Sequence, residues 1–358
     1  MRCLRPSTPS MKGNLPVNPP MKKETSMKLS PPRSMRRAVA LLLAAAFVAA
    51  ACGGSDESPA AAQDDGFPLT FTNCDTEFTL DAPPERVMLM EAAAPSLLFA
   101  AGAMDRVIAR IESFPEEYYT AEELALLNDI PALVAQHTST GGVEISVEAI
   151  IDHDPDIVIG YDTATLTHDA LADVGIQLYV MPPFCDNPPT PSFESILDEV
   201  RFYGELFGTS ETANASADAL EAAVASAADA PVAEGQTAAA LYVSSDGSAI
   251  YAYSSLGMVH PLMEALGMTN VFAELSERVP EVSIEEVIGR NPEILVLLYD
   301  DFGLTPDEIS ALVTDLPGAD SIAAVEQGAV YPLLFNWAEP PTPLVVKGLS
   351  ELSAQITQ

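Results

Sequence analysis

Two stretches of the chain arrange polar and apolar residues in nearly the same order. EISVEAIIDHDPDIVIGYD begins at Glu144 and EVSIEEVIGRNPEILVLLYD begins 137 residues later at Glu281, with Glu, Ser, Glu, Ile, Pro and Ile in register. In the first, Ser146 is placed to cap a helix, Glu148 falls in its positive first turn, and Val147, Ile150 and Ile151 form an apolar face. Asp154-Pro155 stops that helix, and Ile157-Val158-Ile159 predicts a strand buried on both faces of a parallel sheet. The second stretch repeats the plan: Ser283 caps, Glu285 follows, Pro292 breaks, and Ile294 to Leu298 is the strand.

The duplication extends further. Arg86 to Ile111 reads as strand, loop, helix, Gly turn and strand, and Ala239 to Phe272 follows a related plan with a longer loop. PLMEALGMTNV echoes PSLLFAAGAMDRV. Between them, Ser192 to Ala230 has helical spacing and Ala enrichment around a break at Gly208-Thr209. The expectation is an α/β chain of two Rossmann-like lobes with mainly parallel sheets, joined by a long rigid helix, with a ligand cleft between the lobes. The boundaries are a leader and signal at 1–51, a flexible linker at 52–66, lobes at 67–191 and 231–358, and a connecting helix at 192–230.

The amino terminus changes this picture. Met35 to Cys52 has a basic start, an apolar run from Ala38 to Ala51 and small residues before a Cys. That run is shorter than the roughly 20 residues of a membrane span and reads as a cleaved secretory signal. The small residues ending at Cys52, followed by Gly53, Gly54 and Ser55, resemble a bacterial lipoprotein signal, which would lipidate Cys52. An ordinary signal peptide with an incidental Cys is the alternative, and Met1 and Met35 are both candidate starts.

Nine of the 16 basic residues and one of the 52 acidic ones precede Cys52, leaving 7 against 51, a net charge of about −44. This excludes nucleic acid as a partner. Spread along the whole chain, such acidity reads as a solvated surface suited to a salty habitat. With Cys3 lost and Cys52 lipidated, Cys74 and Cys185 are an isolated pair, which in an exported protein reads as a disulfide.

The order and spacing of PPERVMLMEAAAPSLLFAAGAMDRVIARI, the S-x-E helix with DPDIVIG, GMVHPLMEALGMTNVF, VPEVSIEEVIGRNPEILVL and GAVYPL followed by VVKGLSELS resemble the substrate-binding lipoproteins of ABC importers for iron-siderophores and cobalamin. The resemblance runs from about Phe67 to Gln358, and Asn73-Cys74 with Phe184-Cys185 resembles the actinobacterial iron-siderophore branch, in which such cysteines pair. It implies a monomeric, non-enzymatic receptor held outside the membrane by lipid on Cys52, without a cofactor of its own. The receptor would deliver a ferric siderophore to a permease driven by a separate ATPase. It also implies that one Glu per lobe, Glu148 and Glu285, docks onto the permease.

Cleft candidates come from loops at the carboxyl ends of strands. They are Arg110, Phe114, Tyr161, Tyr251, Tyr253, Arg278, Tyr299 and Trp337, with Glu91, Ser113, Phe184 and Asn336 nearby. Aromatic rings suit flat, greasy chelate faces, and Arg suits chelate oxygens. Some cobalamin-binding relatives carry a Trp six residues before each docking Glu; here those positions are Gly142 and Val279. Few arginines and strong acidity favour a neutral or cationic hydroxamate chelate over an anionic catecholate, with cobalamin or haem as the alternative ligand. An enzyme or a structural surface lipoprotein is the contrasting class, but the chain has no G-x-S-x-G elbow, no phosphate-binding Gly loop and no H-E-x-x-H. His137, His153, His168 and His260 are scattered without ligand spacing, which reads as solvated surface rather than a metal site.

Overall fold

The computed structural model describes residues 66–110, 115–133, 136–137, 143–244, 249–300 and 304–358. The leader, Cys52, all of the linker but Gly66, Gly142, Ser113 and Phe114 lie outside the described residues. Among those described, no helix is long and apolar enough to cross a membrane.

The first lobe opens with a hairpin, β1 (Leu69–Asn73) and β2 (Thr76–Leu80), paired antiparallel. Then come β3 (Val87–Leu89), α1 (Ala94–Ala101), β4 (Val107–Arg110), α2 (Ala121–Asp129), a two-residue pairing of β5 (Gln136–His137) with β6 (Val143–Glu144), α3 (Val147–Ile151), β7 (Ile157–Gly160), α4 (His168–Ala172) and β8 (Gln177–Val180). Two helices follow, α5 (Phe193–Phe207) and α6 (Ser210–Asp229). The second lobe runs β9 (Thr237–Val243), β10 (Ile250–Ala252), α7 (Val259–Ala265), β11 (Thr269–Asn270), β12 (Glu281–Val282), α8 (Ile284–Arg290), β13 (Ile294–Tyr299), α9 (Pro306–Thr314), α10 (Ala323–Gln327), β14 (Val330–Leu334) and α11 (Pro343–Ile356).

The doubled phrase folds as expected. Ser146 accepts from Ala149 N–H at 3.2 Å and Ser283 from Glu286 N–H at 3.2 Å, so both helices start on a capping serine. β7 is buried throughout and β13 nearly so, as strands of a two-sided sheet must be. The first sheet has the all-parallel order β4-β3-β7-β8; in the second, β11, β9, β13 and β14 repeat that order, all parallel. β10, in the longer loop of the second copy, pairs antiparallel with the far end of β9, and β12, at the start of the second doubled phrase, pairs antiparallel with β10.

The connector differs from a single long helix. Gly208 ends α5 in the left-handed conformation (φ 68°), and α6 folds back along α5. A Cβ on Gly204 would collide with Ala213, so this pair of small residues permits the close approach. Arg201 on α5 also reaches Asp218 at 3.7 Å and Glu221 at 4.0 Å on α6. The 20-residue α6, about 30 Å long, is therefore the spine. It lies against α1 of the first lobe and α7 and α11 of the second. α11 likewise reaches across, placing Leu344 in the first lobe's core.

Candidate functional site

A cleft with about 470 Å³ of space, part of it open solvent, lies where the carboxyl ends of the two sheets meet. Its first-lobe side is Pro182, Pro183, Pro188, Pro189 and Pro191, with Ser195 and Glu199 of α5 behind them; its second-lobe side is Leu256, Arg278, Glu339 and Pro341. Of the expected ligand residues that are described, Arg278 alone lines it.

The charge on Arg278 is already matched. Its Nη1 donates to Glu339 Oε2 at 3.0 Å, while Glu339 Oε1 accepts from Val259 N–H at 3.3 Å. Glu339 is only 1% exposed, whereas the Arg278 side chain is 40% exposed. Burial pushes the Glu339 carboxyl up to about 7, against the downward pull of Arg278 and of backbone N–H groups. Across the cleft, Glu199 accepts from Tyr179 Oη–H at 2.7 Å. Glu199 keeps some solvent-accessible surface, yet enclosure of its carboxyl pushes it up to about 7 as well. When both acids are ionised the cleft carries two carboxylates against one guanidinium.

Tyr253 packs behind this pair and is 3% exposed, in the core that holds Val259 and Leu262. A Cβ on Gly257 would meet both Glu339 Oε1 and the Tyr253 ring, so glycine lets the loop pass. Tyr161 meets Phe184 edge-on at 5.6 Å beside the proline stretch. Tyr251 faces Tyr242 at 6.5 Å, and Tyr242 Oη–H donates to Asp300 Oδ2 at 3.0 Å. Arg110 donates from Nε to Leu127 O at 3.1 Å, and desolvation lowers its pKa. Tyr299 and Trp337 are partly buried on the seam: Tyr299 packs on the first-lobe core and one second-lobe cluster, Trp337 on the first-lobe core and another.

That seam is tied by several contacts. Tyr118, in the first lobe, meets Trp337 at 6.1 Å, accepts from Asn336 N–H at 2.9 Å, and its backbone O and that of Glu117 accept from Lys347 Nζ. Burial lifts the Tyr118 phenol far above its ordinary value, and Asp300 and Glu91, one from each lobe, push the same way. Glu148 and Glu285 are exposed, and neither has a side-chain partner among the described residues.

Glu339 and Glu199 were not among the expected site residues. Glu339 does carry a signal, a lone acid within the apolar run LLFNWAEPPTPLVV, whereas nothing distinguishes Glu199 among the chain's acids. Cys74 and Cys185 form a disulfide joining the β1–β2 turn to the proline stretch. Three of the four histidines are not simple surface groups: His153 Nδ1 lies 2.8 Å from Ala149 O, His168 packs 5.3 Å from Phe78, and His260 is 3.4 Å from Glu264; the side chain of His137 lies outside the described residues. Among the described residues no group of three or more His, Cys, Asp or Glu could hold a metal ion.

Comparison with known proteins gives concordant matches. The profile of the family described as periplasmic binding protein matches residues 94–335. The crystal structure titled as an ABC-type Fe3+-hydroxamate transport system from Saccharomonospora viridis is 39% identical, with a TM-score of 0.75, over 82% of this chain and 100% of that one. A periplasmic heme-binding protein from Roseiflexus sp. RS-1 is 22% identical, with a TM-score of 0.60, over 76% and 97% of the two chains, a likeness of fold. A curated cobalamin-binding protein of Halobacterium salinarum is 24% identical over 80% of this chain and 73% of its own length.

Proposed function

Because the chain belongs to the periplasmic binding protein family, whose members bind small molecules for ABC permeases outside the cytoplasm, we propose that it captures a ferric siderophore of neutral or cationic hydroxamate type. The observation that carries this reading is the pairing of the cleft's cation: among the described lining residues Arg278 is the one positively charged group, and it is paired with Glu339. A triply anionic chelate would find no unpaired cation in that lining, whereas a neutral or cationic one needs none. The 39% identity to a protein named for Fe3+-hydroxamate transport supports the same class.

In this reading Arg278 meets the chelate directly, and Tyr161 and Trp337 flank it from the two lobes. Arg110, Tyr251 and Tyr299 shape the rim, Tyr253 backs the Arg278–Glu339 pair, and Phe114 belongs to the same set. Cys52 anchors the monomeric receptor by lipid, and Glu148 and Glu285 dock it on the permease. Replacing both docking residues with Lys is expected to leave ligand affinity unchanged and to reduce uptake; full uptake by the double variant rejects their role.

The second reading is cobalamin, supported by the name of the Halobacterium salinarum relative. A wide corrin needs broad apolar faces, however, and this cleft is walled by prolines with an ion pair at its back. Calorimetric titration with the cationic ferric trihydroxamate ferrioxamine B, an anionic ferric tris-catecholate, haem and cobalamin separates the readings. Tight binding of the first alone is the expected result; binding of cobalamin or haem in its place overturns it.

A further inference from the structure

The five prolines on the first-lobe side come from one stretch, 182–191. Proline has no N–H, so such a segment cannot be held by the usual backbone bonds. Among the described residues, the last backbone bond of its start is Cys185 N–H to Pro182 O at 3.3 Å. The next fixed point is Ser192, whose Oγ accepts from Ser195 N–H at 3.1 Å at the head of α5. The near end hangs from the sheet, where Met181 N–H donates to Gly160 O at 2.8 Å and Phe184 N–H to Met181 O at 2.9 Å, and it is gripped from outside the sheet by the β1–β2 hairpin.

Asn73 and Cys74 grip that end together. Asn73 is buried, and its amide makes two bonds to Val180, the last residue of β8: Nδ2–H donates to Val180 O at 2.7 Å, and Oδ1 accepts from Val180 N–H at 2.8 Å. The neighbouring Cys74 is joined to Cys185, three residues into the proline stretch. Cys74 and Asp75 occupy the two central turn positions with φ of 45° and 67°, a left-handed backbone that Asn and Gly adopt far more readily than Cys. Turn propensity therefore does not account for a cysteine here, but the cross-link does.

We infer that the β1–β2 hairpin is a positioning element of the ligand site: Asn73 and the Cys74–Cys185 bond hold the proline wall at the spacing from Leu256 and Arg278 that the ligand requires. This rests on the proposed reading of the cleft as the ligand site. The wall is rigid within itself and anchored at both ends, which pre-organises one face of the cleft. The second lobe has no described counterpart of this hairpin, and its side of the cleft is held by the buried Glu339 instead.

The test measures width and affinity separately. Spin labels on non-canonical residues at Thr190 and Leu256, both exposed and on opposite sides, report the spacing across the cleft without ligand. The full chain is compared with a Cys74→Ser/Cys185→Ser variant and with Asn73→Ala, which keeps the disulfide should the double variant fail to fold. The expected result is a broadened distance distribution in both, with affinity for ferrioxamine B weakened about tenfold, mainly through faster release. Unchanged width in the folded variants overturns the inference even if their melting temperatures fall, because a merely stabilising staple would do no more than that. Broadened width with unchanged affinity also overturns it. If the unaltered protein binds no ferric chelate, the proposed ligand class fails, while the width measurement still decides whether the hairpin sets the wall.

Discussion

The two lobes share one sheet order, yet each fixes its side of the cleft by different means. In the first, a hairpin outside the duplicated plan, a disulfide and five prolines fix the wall. In the second, one buried carboxylate gathers Arg278 and the head of α7 through Val259 N–H. The difference teaches where repetition stops: the strands and capped helices that make a stable lobe recur, while the loops at their carboxyl ends, which line the cleft, do not. The disulfide does not respond to pH near neutrality, but the carboxylates of raised pKa do, Glu339 holding the second wall and Glu199 lying behind the first.

The largest effect is expected at Glu339. Glu339→Ala leaves Val259 N–H and the Arg278 guanidinium without their acceptor, and should cost about 2–4 kcal/mol in urea unfolding, Arg278 being partly solvated. Glu339→Gln keeps an acceptor of the same shape and should cost about half as much. A loss below about 1 kcal/mol for the Ala variant would show that the second-lobe wall stands without its carboxylate.

A smaller effect comes from pH. Glu199 and Glu339 titrate near 7 in the folded protein against an ordinary 4.5, so between those values the folded state binds more protons than the unfolded. Their contribution is fully present below about 4.5 and is lost as pH rises through about 7, so the melting temperature should fall between pH 5 and pH 8. Glu199→Gln removes the first lobe's share and Glu339→Gln the second's, each flattening the profile. Equal slopes in all three proteins would assign the trend to the general acidity of the chain instead.

These expectations depend on contacts only partly legible in the sequence. The lobes were legible because Ser146 and Ser283, Pro155 and Pro292, and the apolar runs after them act locally, through caps, breaks and burial that need no distant partner. The hairpin also has a period-two signature, Phe71 and Phe78 alternating with polar neighbours, but it has no echo in the second lobe and so stands outside the repeat. Arg278 was legible as a cation near a strand end, but its neutralisation by Glu339, 61 residues away, is tertiary. The fold-back of α5 onto α6 was half written: Gly208 marks the break, but the Gly204–Ala213 approach exists only once the helices meet. Tyr253 looked like a ligand-facing aromatic because burial depends on which side of its loop the second-lobe core forms.

The smallest effect separates the two copies of the doubled phrase. Ser146→Ala and Ser283→Ala each remove one bond to an otherwise unpaired helix N–H and should cost about 1 kcal/mol. The costs should not be equal. α8 has seven residues and is held further by Arg290, which bonds Glu286 at 3.0 Å, pairs with Glu274 and lies 4.4 Å over the Phe272 ring. α3 has five residues; His153 Nδ1 lies 2.8 Å from Ala149 O, and Arg86 donates to Asp154 O at 2.6 Å and to His153 O at 2.7 Å, so its arginine grips the backbone past the helix rather than side chains on it. Ser146→Ala is therefore expected to cost a few tenths of a kcal/mol more than Ser283→Ala, measured by paired urea unfolding at low salt. Raising the salt should narrow the gap, because part of the support for α8 is ionic and screened. A larger loss at Ser283 would mean that Arg290 fastens α8 only after the capped turn has formed, making the serine the more critical residue of the two.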